Sequence, residues 1–294
     1  MHCARGRAMG RCGNRCRERR TGRGIGFLSG IGNVEQTFEI LAIRYGHLER
    51  RSPANFIGGD EHDQPMPLDY YVWIIRRPGK FYLVDTGFDA AMGHKRSRGI
   101  VRPVETGLRQ IGIEPESVEN IIISHMHFDH AGNRDLFPNA RYHVQDKEMA
   151  YCTGRCMCHD YLRHSFDVED VTGMVEKLYA GRLKFHDGDS EIEPGLTVHR
   201  LGGHTQGLQA IRVKTERGWV VLASDAAHFY ANLEQRRAFP SVDNMAEMLD
   251  GFERMRELAT SEAHIVPGHD PLVLKRYPLA YAGIEGTVRL DIVA

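Results

Sequence analysis

The sequence predicts an α/β fold (α+β) in which layers of β-sheet are covered by helices. Short apolar runs with strand character occur in groups and are separated by turn residues. Segments 104–111 and 244–258 have the apolar spacing of helices. With 294 residues, 41% of them hydrophobic, the chain is also long enough to bury a substantial core.

The elements begin at about Val34. Residues 70–75 and 81–84 form a predicted hairpin, because Arg-Arg-Pro-Gly-Lys between them contains a turn. Segment 244–258 is predicted to bury one helix face, formed by Met245, Met248, Leu249, Phe252 and Met255. The other predicted strands are 38–45, 121–124, 141–144, 196–201, 208–214, 219–223 and 264–266.

Two segments depart from this regular pattern. Residues 1–32 are rich in Arg and Gly and lack periodicity, so they are predicted to form a disordered tail before a catalytic domain at 33–294. The tail is interpreted as a solvated segment, with a transit-like segment or an RNA-binding arm as alternatives. Residues 150–185 are polar, aromatic and irregular, and are predicted to be an insertion near the functional site.

Charge and composition exclude several classes of protein. Eight arginines and one acid, Glu18, lie in residues 1–24, so the other 270 residues carry 30 basic and 38 acidic side chains. This acidic body argues against a nucleic-acid partner. The sequence has neither the ~20 apolar residues of a membrane span nor the apolar core of a secretory signal. We therefore expect a cytoplasmic protein whose six cysteines are reduced thiols.

The segment SHMHFDHAG, residues 124–132, follows an apolar strand and concentrates metal ligands. Side chains alternate along a strand, so His125 and His127 are expected to point the same way and Met126 the other way. Asp129 and His130 follow in a turn, which can carry them to a second position about 3.5–4 Å away. The motif thus predicts ligands for two metal ions.

Three further ligand residues follow apolar runs in similar turns. These are His204, Asp225 and His269. If the strand ends gather at one edge, five histidines and two aspartates come together. A set made only of nitrogen and oxygen suits two Zn²⁺ ions and tolerates Co, Mn or Fe.

In these motifs the chain resembles the metallo-β-lactamase superfamily. The matching segments are Val84-Asp85-Thr86-Gly87, residues 125–130, Gly203-His204-Thr205, Ser224-Asp225 and Pro267-Gly268-His269, and together they span about residues 34–275. The resemblance implies a four-layer αβ/βα sandwich. It assigns His125, His127 and His204 to one metal, Asp129, His130 and His269 to the other, and Asp225 to a bridge between them. It also implies that Asp85 fixes the ligand geometry.

The implied reaction is hydrolysis. Two cations that share a water convert it to a bridging hydroxide, and Asp129 is placed to relay a proton to the leaving oxygen. His130 and the absence of an export signal argue against an antibiotic-hydrolysing β-lactamase. Only 25 residues follow His269, too few for the C-terminal domain of glyoxalase II enzymes.

The closest resemblance is to N-acyl homoserine lactonases, which open a lactone ring and thereby quench quorum sensing. These enzymes have a tyrosine three residues after the bridging aspartate, whereas this chain has His228 there and Tyr230 two residues later. Either residue could donate to the developing oxyanion and is a catalytic candidate. Candidates for an apolar wall around the acyl chain are Met66, Leu68, Tyr151, Tyr161 and Phe166.

Several alternatives stay open. Without that tyrosine the substrate could be another lactone, an ester or a thioester. The arginine-rich tail leaves a less favoured RNA-binding or RNA-processing function. Cys152, Cys156 and Cys158 do not have the spacing of a zinc site and are interpreted as loop thiols. A homodimer is the expected assembly, with a small-molecule lactone as the partner.

Overall fold

The computed structural model describes residues 37–292, and two β-sheets packed face to face form its centre. Within this range the larger sheet has eight strands, which are β1 (Glu39–Leu48), β2 (Leu68–Arg77), β3 (Lys80–Val84), β4 (Gly99–Ile100), β5 (Asn120–Ile122), β6 (Arg141–Gln145), β7 (Leu183–His186) and β13 (Thr287–Arg289). The smaller sheet has five, which are β8 (Ser190–Glu193), β9 (Leu196–Arg200), β10 (Gln209–Thr215), β11 (Gly218–Ser224) and β12 (Ile265–Pro267).

Helices connect the strands and cover both sheets. The α-helices of the described range are α1 (Ala90–Lys95), α2 (Val104–Gln110), α3 (Phe128–Ala131), α4 (Asp146–Cys152), α5 (Asp160–Arg163), α6 (Val168–Tyr179), α7 (Tyr230–Gln235), α8 (Met245–Leu258) and α9 (Leu272–Arg276). None of these helices is long and apolar enough to cross a membrane.

Both sheets contain parallel strand pairs. The larger sheet has the order β13-β1-β2-β3-β5-β6-β7, with β4 paired to β1, and it is parallel from β3 to β7. The smaller sheet has the order β12-β11-β10-β9-β8, in which β11 and β12 are parallel. Parallel neighbours end at the same edge, so the turns after β3 and β5, and those after β11 and β12, meet in pairs.

Three apolar clusters define four layers. Along β1 the side chains alternate, so that Ile40 faces the space between the two sheets while Leu41 faces the helices that cover the larger sheet. Leu108 and Met174 come from those helices. Phe252 of α8 packs on the outer face of the smaller sheet. The order helix, sheet, sheet, helix is the predicted αβ/βα sandwich.

The predicted strands and the two predicted helices are confirmed within a few residues, but the buried face of the second helix differs from the predicted one. The buried face of α8 consists of Met248, Phe252, Met255 and Leu258, whereas Met245 and Leu249 are exposed. Met245 occupies the first position of the helix, beyond the part that packs on the sheet.

Segment 150–185 is mostly helical rather than irregular, since it contains the end of α4, all of α5 and α6 and the start of β7. The strand β7 closes the larger sheet, so this segment is partly built into the fold. The Arg/Gly-rich tail predicted at 1–32 lies outside the described residues, and the domain boundary at 33 stays a prediction.

Candidate metal centre

The seven predicted ligands lie in turns at the ends of strands. The segment that carries His125 and His127 follows β5, and Asp129 and His130 lie in the single turn of α3. His204, Asp225 and His269 follow β9, β11 and β12. The fold therefore brings together turns from both sheets, as the sequence predicted. Residues 125–127 lie beyond the end of β5 and not in a strand.

Three histidines form a first group. His204 Nε2 lies 2.9 Å from His127 Nδ1 and 3.2 Å from His125 Nε2. All three side chains are buried. Met126, between the two ligands of the motif, points into the apolar cluster under the larger sheet, as predicted. Three nitrogens directed at one point can bind a cation.

Asp129, His130 and His269 form a second group. Asp129 Oδ2 lies 3.7 Å from His130 Nε2 and 3.8 Å from His269 Nε2. All three side chains are largely buried, and Asp129 is the most exposed of them at 9%. The group offers two nitrogens and one oxygen, a donor set that suits a divalent metal.

Asp225 lies between the groups and faces each of them with a different oxygen. Its Oδ2 is 3.3 Å from His204 Nε2. Its Oδ1 is 3.2 Å from His130 Nε2 and 3.0 Å from His269 Nε2. This division of the two oxygens is the geometry that a bridging carboxylate requires.

The second nitrogen of most ligand histidines is held by a fixed partner. Nδ1 of His130 lies 2.7 Å from Asp85 Oδ2, and Nδ1 of His204 lies 2.6 Å from the carbonyl oxygen of Ser241. Nδ1 of His269 lies 2.9 Å from the carbonyl oxygen of Asp69. A proton on each Nδ1 leaves Nε2 free to bind a metal.

Asp85 also orders the chain around the motif, the role that the resemblance implied. Its carboxylate accepts hydrogen bonds from the Ser124 backbone N–H and hydroxyl, each at 2.7 Å. The Ser224 hydroxyl donates to that of Ser124 at 2.8 Å. Asp85 and Ser224 adopt the left-handed backbone region, with φ of 59° and 45°. Such backbone strain is common where a fold fixes functional side chains.

Burial and neighbouring charges shift the pKa values of several ligand side chains. Burial and the neighbouring histidines lower the pKa of His125 and His127 well below the usual value, so these rings are neutral. Burial alone would raise the pKa of Asp225, but the charges of His269 and His130 hold it well below its usual range. Neutral imidazoles and an ionised carboxylate are the forms in which these side chains bind metals.

Two buried atoms of the cluster test whether metal ions fit. His130 Nε2 and Asp225 Oδ1 lie 3.2 Å apart, but their contacts do not have hydrogen-bond geometry, and neither atom has a hydrogen-bond partner among the described residues. Buried polar atoms normally have one, so atoms without a partner need an explanation. A cation beside both atoms would satisfy them. The residues present fit a dinuclear metal site.

The two catalytic candidates are placed differently. His228 lies at the cluster, with Nε2 2.9 Å from Asp225 Oδ2 and its ring stacked on Phe239 at 3.6 Å. Tyr230 does not join it. Its ring packs in the core between the sheets under the guanidinium of Arg276, 3.7 Å from the ring centroid. The helix α7 begins at Tyr230 and turns that side chain away from the ligands.

The candidates for an acyl-binding wall are also divided. The Phe166 ring lies 4.5 Å from that of His127 and 5.8 Å from that of Tyr151. Tyr161 is 67% exposed, and its hydroxyl donates to the carbonyl oxygen of Pro240. Leu68 is buried at the start of β2, and Met66 is half-buried beside it.

The cysteines of segment 150–185 do not join a metal cluster within residues 37–292. Cys152 is buried in α4, Cys156 is half-buried beside the Gln206 side chain, and Cys158 is exposed. Their interpretation as thiols of this segment is consistent with these positions.

Sequence reasoning missed several residues around the centre. Tyr45 donates to the carbonyl oxygen of Asp129 at 2.6 Å, and the Tyr70 ring packs 5.1 Å from that of His269. Glu148 accepts hydrogen bonds near the first group. An aromatic residue in a strand predicts burial but not its partner, so the sequence carried no pattern that identifies these contacts.

The sequence of this chain is similar to those of known metal-dependent hydrolases. Residues 66–269 match the family model described as metallo-beta-lactamase superfamily. An N-acyl homoserine lactonase of Bacillus cereus is 30% identical over 204 residues, which are 64% of this chain and 76% of that protein. Another from Bacillus sp is 33% identical over 165 residues, 55% of this chain and 60% of that protein.

Solved structures extend the comparison to the fold. The crystal structure of a quorum-quenching N-acyl homoserine lactone lactonase matches with a TM-score of 0.65 and 25% identity, over 80% of this chain and 93% of that one. This chain belongs to the metallo-β-lactamase superfamily. The predicted family and fold are confirmed, and the predicted function class, a metal-dependent hydrolase of lactonase type, agrees with these relatives.

Proposed function

We propose that this protein is a dinuclear zinc hydrolase that opens the lactone ring of N-acyl homoserine lactones. The observation that carries this proposal is the division of the two Asp225 oxygens between two groups of ligands. Relatives named as N-acyl homoserine lactonases supply the substrate class. Zinc suits a buried site of nitrogen and oxygen donors.

The residues divide the work at the site. His125, His127 and His204 would hold one ion, and Asp129, His130 and His269 the other, with Asp225 shared. When bound, two such ions lower the pKa of water and polarise a carbonyl group. Burial lowers the pKa of His125 and His127, so these two rings are neutral, the form in which imidazole binds a metal.

Asp129 is placed to move the proton. Its carboxylate is the more exposed of the two in the ligand set, and its main chain is fixed by the Tyr45 hydroxyl at 2.6 Å. A carboxylate at the solvent side of the site can accept the proton of the attacking water and pass it to the ring oxygen that leaves. The product is an open-chain hydroxy acid.

His228 occupies the position of the usual lactonase tyrosine. Its Nε2 contacts Asp225 Oδ2, and stacking on Phe239 restricts rotation of the ring. We therefore propose that His228 orients the shared carboxylate. The oxyanion role predicted for it from the sequence requires Nε2 to turn from Asp225 toward the substrate.

The test is lactone hydrolysis by the full chain loaded with zinc. We expect ring opening across acyl homoserine lactones of different chain length, and loss of this activity after chelation. Replacement of His228 by Ala should lower kcat/KM by about 10- to 100-fold, the usual effect of losing a residue that orients a metal ligand. No turnover of any lactone in the metal-loaded protein would refute the proposal.

Two outcomes would redirect the proposal. Thioester turnover far above lactone turnover would favour the alternative substrate class, which the absence of the tyrosine motivates. Deletion of residues 1–24 should leave lactone hydrolysis intact, whereas an RNA-dependent function would be lost with it. A homodimer and a cytoplasmic location stay predictions, which light scattering and cell fractionation can test.

A further inference from the structure

A buried carboxylate that does not belong to the ligand set lies behind the first group of histidines. Glu148, in α4, has no exposed surface. Its Oε1 accepts from the Met126 backbone N–H at 2.7 Å. Its Oε2 accepts from the Thr205 hydroxyl at 2.6 Å and from the Gly207 backbone N–H at 3.0 Å. Burying a carboxylate costs free energy, and these three hydrogen bonds offset that cost. The position of a buried carboxylate behind the ligands therefore calls for an explanation.

These donors belong to the two segments that supply the first group. Met126 lies between His125 and His127, and Thr205 directly follows His204. One segment extends from the larger sheet and the other joins two strands of the smaller sheet. The two oxygens of Glu148 therefore connect the sheets at the point where the three nitrogens converge.

The packing around Glu148 leaves little freedom for this connection. A Cβ atom on Gly207 would lie 2.1 Å from the Glu148 backbone nitrogen and 2.4 Å from its Cα. The segment after His204 thus runs directly against the start of α4. Displacing Glu148 would move that segment as well.

A second connection between the sheets lies one step farther from the ligands. The Gln209 side chain donates to the Ile123 carbonyl oxygen at 2.8 Å, and its backbone N–H donates to that of Ser124 at 3.0 Å. Gln209 therefore joins the end of β5 to the start of β10. The loops that carry His125, His127 and His204 lie beyond this connection, where Glu148 aligns them.

We propose that Glu148 is a positioning residue that sets the spacing between His204 and the pair His125 and His127, and so determines the affinity of the three-histidine site for its metal. The inference depends on the metal centre of the proposed function and not on its substrate. Partners of this kind that orient ligands typically change metal affinity by about 10- to 100-fold when they are replaced.

The test is the substitution Glu148→Gln in the full chain, with metal binding as the measurement. Glutamine keeps the shape, but its NH₂ group cannot accept, so at least one of the three donors loses its partner whichever way the amide turns. In competition with a chelator, we expect the affinity for one of two bound zinc ions to fall about 10- to 100-fold. In the cobalt-loaded protein, the absorption spectrum of that ion should change.

Asp291→Asn is the matched control. Asp291 is a buried carboxylate that accepts from the Ile40 backbone N–H at 3.1 Å and from the Arg289 guanidinium, at the β1–β13 end of the larger sheet. This variant should lose stability and keep both zinc affinities. If Glu148→Gln behaves in the same way, with lower stability but wild-type metal affinity, the positioning role is refuted.

Thr205→Val decides the case in which Glu148→Gln does not fold. This change removes only the hydroxyl donor and leaves the carboxylate with its two backbone donors, so a smaller loss of affinity at the same ion is expected. Unchanged affinity in a folded Thr205→Val protein would overturn the proposal in that case. Because the measurement uses metal alone, failure to hydrolyse lactones would count against the substrate proposal and not against this one.

Discussion

The imidazole of His130 is held between two carboxylates, with Nδ1 2.7 Å from Asp85 Oδ2 and Nε2 3.2 Å from Asp225 Oδ1. The contact with Asp85 places the proton on Nδ1 and thereby directs the lone pair of Nε2 toward the centre. Asp85 is fixed in turn by two hydrogen bonds from Ser124. A residue outside the ligand set thus determines how one ligand binds.

Asp85→Asn should therefore weaken metal binding without emptying both sites. Asparagine cannot accept from Ser124 and His130 at all the positions that the carboxylate serves. We expect about 10- to 100-fold weaker binding of one ion, measured by chelator competition. Asp89→Asn, at the start of α1, is the control, because within residues 37–292 Asp89 accepts only from the backbone of its own helix. Equal metal affinity in Asp85→Asn and wild type would contradict this prediction.

Gly268→Ala should disrupt the shared carboxylate. A Cβ atom at this position would lie 2.7 Å from the Ser224 carbonyl and 2.9 Å from Asp225 Oδ1. We expect loss of metal from this variant, measured as zinc per chain after gel filtration. Gly251→Ala on α8 meets only Leu201 at 3.7 Å, so it should keep its metal and gain up to about 1 kcal/mol of stability. Full zinc content in Gly268→Ala would show that Asp225 tolerates the displacement.

Tyr230→Phe should leave catalysis almost unchanged. The Tyr230 ring lies in the core under Arg276, away from the ligand cluster that His228 joins. We expect kcat/KM within about twofold of wild type and a change in the free energy of unfolding below about 1 kcal/mol. Steady-state kinetics on a lactone and urea denaturation measure the two quantities. A tenfold loss of kcat/KM would restore the role predicted for Tyr230 from the sequence.

Asp170 should make stability fall as the pH rises. Burial and the charge of Asp167 raise the pKa of Asp170 to about 7, from about 4 in an unfolded chain. The folded state therefore favours the protonated form, and its contribution is complete below pH about 4 and lost between pH about 4 and 7. Asparagine does not ionise and avoids this loss.

We expect Asp170→Asn to be more stable than wild type at pH 8, by on the order of 1–3 kcal/mol, and equal to it at pH 4. Urea denaturation at the two pH values measures the difference. Glu169→Gln removes an exposed carboxylate from the same helix turn and serves as the control for a change of net charge. A stability difference that does not vary with pH would contradict the prediction.

Most of the fold could be predicted because its strands are apolar runs with a clear period. β1, β2 and β11 are predicted within three residues at each end for this reason. The missed elements β8 and α1 are short and polar. The strand β13 has three residues and pairs with β1 at the other end of the described chain, which no local pattern reports.

The prediction that residues 150–185 are irregular was wrong, whereas their interpretation as an insertion stays a prediction. The charged residues of α6 lie in two pairs, Glu169-Asp170 and Glu176-Lys177, and its apolar residues recur at helical spacing, at 168, 171, 174, 175 and 178. This is a helical pattern, and the prediction of an irregular segment missed it. Packing of Met174 in the apolar cluster that covers the larger sheet stabilises this helix.

The ligand types, their order and their place after apolar runs can be predicted from the amino-acid sequence, because side-chain chemistry and strand periodicity are local properties. Which of these side chains converge depends on the folded chain. His228 and Tyr230 are two residues apart, yet one reaches Asp225 and the other packs in the core. Glu148 contacts segments 22 and 57 residues away. The convergence of the ligands depends on how the two sheets pack. This packing joins segments that are far apart in the sequence, so no short segment predicts it.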